Sequence, residues 1–243
     1  MQYFGGKYRI ASHLVEPIHA LLGTWCYLRF VDLFCGSMNV THRVDWPYKY
    51  ANDKNKYIVA TYERLQSGGG FPEKITEEEY HGIKDNKDGY PDWLVGFVGF
   101  GCSFAGKFFG GYARDSNGKN YAAIARRSIL RKMKGVQGVA ISVGDYRRFP
   151  IEDTDLVYCD IPYAGTTGYS TGDFDHDSFY RWARSQDCTI LVSEYEHNAR
   201  GEVIWRKDSR KSIRDSEGAC VETSEILQAF NLPRYIASEA GLC

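Results

Sequence analysis

The sequence has no long apolar run, no closely paired cysteines and no histidines at metal-ligand spacing. A helix that crosses a bilayer needs about 20 consecutive apolar residues. The longest uncharged stretch, Trp93 to Gly106, is shorter than that and contains four glycines. The opening "MQYFGGKYRIA" lacks the basic-then-apolar order of a secretory signal. The seven cysteines (26, 35, 102, 159, 188, 220 and 243) are odd in number and scattered, with no CxxC pair. That pattern argues against a disulfide framework and a zinc site, and predicts a reducing, cytoplasmic setting without membrane or metal.

What is present suits a sizeable core. At 243 residues, with 43% hydrophobic and 25% charged residues, the chain fits one α/β domain with an insertion, or two small domains. The net charge of −1 excludes a general polyanion binder, but the charge is unevenly spread. Between Ser103 and Lys134 eight basic residues (Lys107, Arg114, Lys119, Arg126, Arg127, Arg131, Lys132 and Lys134) face one acid, Asp115. Such a concentration is the footprint of phosphate contact, or of a solvated helix face.

Four short apolar runs, each closed by turn residues or an acid, read as buried parallel strands: 28–34, 48–53, 139–145 and 155–160. A fifth, "TILVSEYE" at 189–196, follows the helical pattern "DSFYRWARSQ". Helices are expected between the first two strands and over "NKYIVATYERLQS" at 55–67. The alternation predicts an α/β fold with a mostly parallel sheet covered on both faces. In the tail, "EVIWRK" and "SEILQAFN" predict an antiparallel hairpin, with 208–222 as a polar loop between them.

Residues 68–137 interrupt this alternation. They open on "GGGFPEK", which reads as a flexible linker. Farther on, Trp93, Phe97, Phe100, Phe104 and Phe108 recur at helical steps, the pattern of an aromatic stripe packed into a core. "YAAIARRSILRKMKG" then reads as one amphipathic helix with its basic residues outward.

The strand ends carry the chemistry, because open parallel sheets bind ligands beyond their carboxyl edges. The first strand leads into "DLFCGSMN", where Gly36 permits close backbone approach. Asp53 ends the second strand, at the spacing of an acid that binds ribose hydroxyls. The third contributes Asp145 and the fourth "DIPY", residues 160–163. Pro162 stiffens the backbone there, so the Asp160 carboxylate and the Ile161 carbonyl are adjacent acceptors beside the Tyr163 ring. Two acceptors and an aromatic plate suit a planar heterocycle with an exocyclic amine; an Asx-type turn is the plainer alternative. The acid-rich "DFDHD" at 173–177 could serve a metal-dependent nuclease, but it better fits a helix start with Asp175 or Asp177 as N-cap.

In order along the chain, "YFGGK" (3–7), "DLFCGS" (32–37), "ND" (52–53), "GDY" (144–146) and "DIPY" (160–163) resemble the motifs of Dam-type (D12 class) DNA adenine N6-methyltransferases, phage-borne and restriction-modification members included. The resemblance implies a Rossmann-like class I methyltransferase core over 1–67 and 138–243, with 68–137 as an inserted DNA target-recognition region. It implies S-adenosyl-L-methionine as cofactor and adenine N6, in a base flipped out of DNA, as acceptor. By the same resemblance Tyr3 and Lys7 lie at the methionine end of the cofactor, Lys7 facing its carboxylate. Asp32, Phe34 and Gly36 line its turn, Asp53 holds its ribose, and Asp145 and Tyr146 meet its adenine. Asp160, Ile161, Pro162 and Tyr163 form the target-base pocket, Tyr163 stacking on the base. The arginines of the insertion are candidates for phosphates or base edges and its lysines for the DNA backbone. Two positions depart from the family pattern: Ile161 replaces a proline, and Met38 a glycine, where its side chain is expected to narrow the cofactor pocket. These departures leave room for a non-catalytic protein on the same fold. A cytosine N4 methyltransferase would use the same pocket logic.

Overall fold

The computed structural model describes residues 1, 3, 5–163, 174–214 and 220–242. Seven strands form one sheet: β1 (Arg29–Asp32), β2 (Lys49–Asp53), β3 (Ala140–Val143), β4 (Asp155–Cys159), β5 (Thr189–Tyr195), β6 (Glu202–Arg214) and β7 (Cys220–Phe230). Their order is β3-β2-β1-β4-β5-β7-β6. The first five are parallel to one another, while β7 pairs antiparallel with both β5 and β6. The architecture is a mostly parallel α/β sheet with an antiparallel C-terminal pair, consistent with the Rossmann-like methyltransferase core expected from the sequence.

Alternation along the central strands explains why both faces are covered. Phe30 of β1 and Leu156 and Tyr158 of β4 point into a core shared with helix α1 (Ala11–Leu22). Their neighbours Val31, Val157 and Cys159 point into the opposite core. A strand buried on both sides needs such an unbroken apolar run. On α1, Leu14, Ile18, Leu21 and Leu22 form the buried stripe.

Helix α2 (Lys56–Gln66) starts where Asn55 accepts from the amides of Tyr57 and Ile58. It is followed by α3 (Glu77–Asp85), α4 (Asp92–Gly101), α5 (Tyr121–Leu130) and α6 (Met133–Val136). Helix α3 begins with a reciprocal capping box between Thr76 and Glu79. Residues 68–137 are not joined to the rest by a loose tether. Ile58, Tyr62 and Leu65 of α2 share one core with Phe71, Tyr80, Val95, Phe97 and Ile129. Phe71, inside the expected flexible linker, is buried with its ring 5.2 Å from that of Phe97. At the crossing of α4 over α2, a methyl on Gly96 would lie 2.1 Å from the Tyr57 carbonyl oxygen.

The aromatic stripe divides. Helix α4 carries Trp93, Phe97 and Phe100, and Phe108 folds back to 4.8 Å from the Phe100 ring. The helix stops at Gly101, so Phe104 lies outside it in a 3-10 turn and is 69% exposed. The expected single basic helix is broken at Arg131–Lys132 into α5 and α6. Between β1 and β2 there is only a 3-10 turn, Thr41–Arg43, not the expected helix. Most of 208–222 is strand, not loop: β6 runs to Arg214 and β7 begins at Cys220.

Helix α7 (His176–Arg184) is capped by Asp175, which accepts from the Ser178 amide 3.0 Å away. That carboxylate is therefore used to begin a helix. Asp173 lies outside the described residues. Helix α8 (Arg234–Glu239) closes the chain against the α1 side of the sheet.

Candidate active site

The carboxyl ends of β1, β2 and β4 bring Asp32, Asp53 and Asp160 to one edge of the sheet, where they border a cavity of about 260 Å³. Tyr3, Lys7, Phe34, Gly36, Asp145, Tyr146 and Pro162 share its wall. Eight cofactor-side residues expected from the sequence, drawn from four separate segments, thus meet at one place.

The turn after β1 is built for close approach. Gly36 has φ of +42°, a left-handed conformation that glycine adopts freely. Its amide donates to Asp53 Oδ2 at 2.8 Å, and the Asn55 amide donates to Oδ1 at 2.8 Å. A methyl at Gly36 would lie 3.0 Å from the Tyr3 ring, which itself packs 4.8 Å from Phe100. Burial pushes the Asp53 carboxyl up to about 6, against those two amide bonds. Asp32 accepts from the Thr41 hydroxyl and from the Phe34 amide. Burial, together with nearby Asp160 and Asp53, pushes the Asp32 carboxyl up to about 8. Buried acids of this kind favour a cationic neighbour.

An aromatic corner stands opposite. Phe34 lies 5.2 Å from Tyr146 and 5.8 Å from Phe174, the latter edge-on. Asp145 takes both guanidinium branches of Arg147, at 2.8 and 2.6 Å, and that pairing pulls its carboxyl down to about 2.

Lys7 departs from expectation. Its ammonium lies 2.7 Å from Asp160 Oδ1 and donates to the Gly5 carbonyl at 3.2 Å. Its charge is therefore engaged by the β4 acid and not held ready for a cofactor carboxylate. Burial raises the Asp160 carboxyl while Lys7 opposes that rise. Lys7 also sits 4.0 Å from the centroid of the Tyr163 ring, whose edge-on neighbour is Tyr195 at 4.6 Å. The Tyr163 hydroxyl donates to Glu225 Oε2 at 2.8 Å. With 7% exposure, Tyr163 lies behind Lys7 and does not offer an open stacking face in this conformation.

The two departures from the motif pattern are absorbed by the core. The Ile161 side chain is buried among Val31, Leu33, Val157 and Phe179, so it anchors the loop after β4. Met38 is fully buried with Val59, Tyr62 and Phe97 and does not border the cavity, so it does not narrow it. Its φ of +51° shows what a glycine at that position would supply: left-handed backbone, at a cost of about 1–2 kcal/mol for other residues.

The eight basic residues between Ser103 and Lys134 do not act alike. Arg114 pairs with Glu77, Lys119 with Asp115 at 2.5 Å and Arg126 with Glu73 at 3.4 Å. Lys107, Arg127, Arg131 and Lys134 are exposed and in no ion pair among the described residues. Lys132 cannot reach DNA, because it is 3% exposed and its ammonium donates inward. The acceptors are the Ser37 carbonyl, Asn39 Oδ1 at 2.7 Å and the Tyr62 hydroxyl at 3.4 Å. Burial, with Arg43 nearby, lowers its ammonium to about 7. Sequence reasoning also missed Ser37, Asn39 and Tyr158 on the cavity wall and Glu225 behind Tyr163. Of these, Ser37 and Asn39 adjoin the Gly36 turn and were within reach of the motif; Lys132 and Glu225 had no local signal.

A curated relative, the type II methyltransferase M.FokI of Planomicrobium okeanokoites, is 25% identical over 235 residues, covering 83% of this chain and 34% of its own length. The chain therefore spans about a third of that protein. Residues 3–92, which contain the glycine turn, Asp32, Asp53 and the Lys7 segment, match the family model of the D12 class N6 adenine-specific DNA methyltransferases.

Proposed function

We propose that this chain is a DNA methyltransferase that moves the methyl group of S-adenosyl-L-methionine to the N6 amine of an adenine flipped out of the duplex. The observation that carries the reading is the position of Asp160. It follows directly on β4 as the first residue of D-I-P-Y and borders the same cavity as Asp32, Asp53 and the Gly36 turn. The D12 class match and the similarity to a type II methyltransferase support the same reading.

The cavity suits the cofactor chemically. S-adenosyl-L-methionine supplies a methyl group already activated as a sulfonium, so the chain's task is positioning. Asp53 presents buried carboxylate oxygens for ribose hydroxyls, and the left-handed Gly36 turn lets a ligand reach the backbone. Asp53 supplies negative potential at the cavity wall, while the more strongly raised Asp32 is a hydrogen-bonding group there. Phe34 and Tyr146 provide apolar faces for a purine, with Asp145 beside them.

On the acceptor side, an adenine amine is a weak nucleophile because its lone pair is delocalised into the ring. Asp160 and the Ile161 carbonyl accept its two hydrogens and so free the lone pair. The nitrogen must shed a proton as it gains a methyl, and Asp160 is placed to receive it. Lys7 opposes the rise that burial imposes on that carboxyl and so favours its ionised form. Tyr163, tied to Glu225, forms the back of the acceptor pocket. Flipping a base costs a few kcal/mol. Phosphate contacts from Lys107, Arg127, Arg131 and Lys134 in a target-recognition region over 68–137 offset that cost. Cytosine N4 would meet the same acceptors, and the family match favours adenine.

The test is transfer of tritium from methyl-labelled cofactor into unmethylated duplex DNA. The chain transfers label, and Asp160→Ala lowers kcat by roughly 10²–10⁴-fold while the fold persists by circular dichroism. Equal transfer by wild type and Asp160→Ala would refute the assignment.

A further inference from the structure

Lys132 is a buried amine with no acidic partner among the described residues. Its three acceptors, the Ser37 carbonyl, Asn39 Oδ1 and the Tyr62 hydroxyl, are all neutral. Taking an ammonium out of water to face only neutral acceptors costs free energy that an apolar side chain would not. The residue is therefore poorly explained as a stabilising device.

What it holds is specific. Ser37 and Asn39 both border the cavity, directly after the Gly36 turn. The Asn39 amide donates to Ser37 Oγ at 2.8 Å, and Tyr62 donates to the same Ser37 carbonyl that Lys132 binds. A methyl on Gly6 would meet Asn39 Nδ2 at 3.0 Å and Ser37 Oγ at 3.3 Å, so the pair also buttresses the N-terminal glycine loop. A shift of the Ser37–Asn39 wall would thus also disturb Gly6, which borders the same cavity.

Where Lys132 comes from matters as much. It lies at the break between α5 and α6, flanked by Arg127, Arg131 and Lys134, which are exposed. Helix α6 is itself sewn to the core: Lys49 donates to the Gly135 carbonyl at 2.8 Å, and a methyl on Gly135 would lie 1.9 Å from the His42 carbonyl oxygen. The basic face and the cavity wall are therefore one short rigid step apart.

We propose that Lys132 is a positioning residue that fixes the Ser37–Asn39 wall of the cavity and ties it to the basic α5–α6 segment, so that cofactor and DNA binding are coupled through this side chain. The inference rests on reading the cavity as the cofactor site and the exposed basic residues as DNA contacts. Linkage makes the coupling reciprocal: whatever DNA does to cofactor affinity, cofactor does to DNA affinity.

The experiment measures the Kd of S-adenosylhomocysteine by calorimetry, with and without sheared mixed-sequence duplex DNA. Wild type, Lys132→Met and Lys132→Gln are compared, with kcat read at saturating cofactor. In wild type, DNA tightens cofactor binding by about fivefold or more. In Lys132→Met the Kd without DNA weakens by about tenfold, the DNA effect falls below about twofold, and kcat stays within about threefold. Lys132→Gln, which keeps a donor, recovers part of the affinity and serves if the methionine variant does not fold. A DNA effect undiminished in a folded variant overturns the proposal, as does a wild type whose cofactor affinity DNA leaves unchanged. Variants that lose affinity only in step with their melting temperature also overturn it. A wild type that binds no cofactor would instead refute the reading of the cavity.

Discussion

Asp160, partly buried, and Lys7, buried, form an ion pair at 2.7 Å, and each limits what the other can do. Without Lys7 the carboxylate would sit buried and uncompensated, and burial alone drives its pKa upward. The sign follows: losing the cation raises the pKa further, so the ionised acceptor is present only at higher pH. Lys7→Met is therefore expected to lower kcat and to move the acidic limb of the kcat–pH profile to higher pH. An unmoved acidic limb would show that Lys7 does not govern Asp160. The sequence announced Asp160 through the stiff D-I-P-Y step and Asp53 through its spacing from the glycine turn. It could not announce the pairing of Lys7 with Asp160, because contact between residues so distant in the chain is decided by the crossover between β1 and β4. Nor could it show that Met38 packs among Val59, Tyr62 and Phe97, since the burial direction of a left-handed residue depends on helices placed later. The inward turn of Lys132 was hidden for the same reason: its neighbours Arg131 and Lys134 point outward, and charge counting treats all three alike.

Strands were easier to read than helices in this chain, and the reason is physical. A strand buried on both faces must be a short apolar run, and the acids that close β1, β2 and the loop after β4 mark the ends. Helix α1 left less trace, with Pro17 inside it and no side-chain cap at Ile10. The long arms of β6 and β7 read as a loop because the sequence there is charged and polar, without the apolar run of a strand buried on both faces. Glycine is a poor helix former, but around α4 the glycines serve packing. Gly96 lets α4 lie on the backbone of α2, with Tyr57 O and Thr61 Oγ1 only 2.1 and 2.4 Å from where a methyl would go. Gly96→Ala should therefore force the two helices apart and destabilise the protein by about 1–3 kcal/mol, despite alanine's better helix propensity. Chemical denaturation checks this, and an unchanged or raised midpoint would contradict the close packing.

Taken together, the molecule sets four cavity acids and four exposed bases on different parts of one continuous body. The cavity end carries Asp32, Asp53, Asp145 and Asp160, while the insertion contributes Lys107, Arg127, Arg131 and Lys134 to solvent. On the proposed reading, a near-neutral chain holds a cationic methyl donor and still contacts a polyanion, because local potential and not net charge governs each encounter. The shared core between 68–137 and α2 keeps the two regions in register, which a flexible tether would not. The central claim, that these regions serve methylation of adenine in DNA, is tested most directly by product identity. The chain is expressed in a host without DNA methylation, and the host DNA is digested to nucleosides for mass spectrometry. The account predicts N6-methyladenine that disappears when Asp160→Ala is expressed instead; N4-methylcytosine, or no methylated base from protein that binds S-adenosyl-L-methionine, would contradict it.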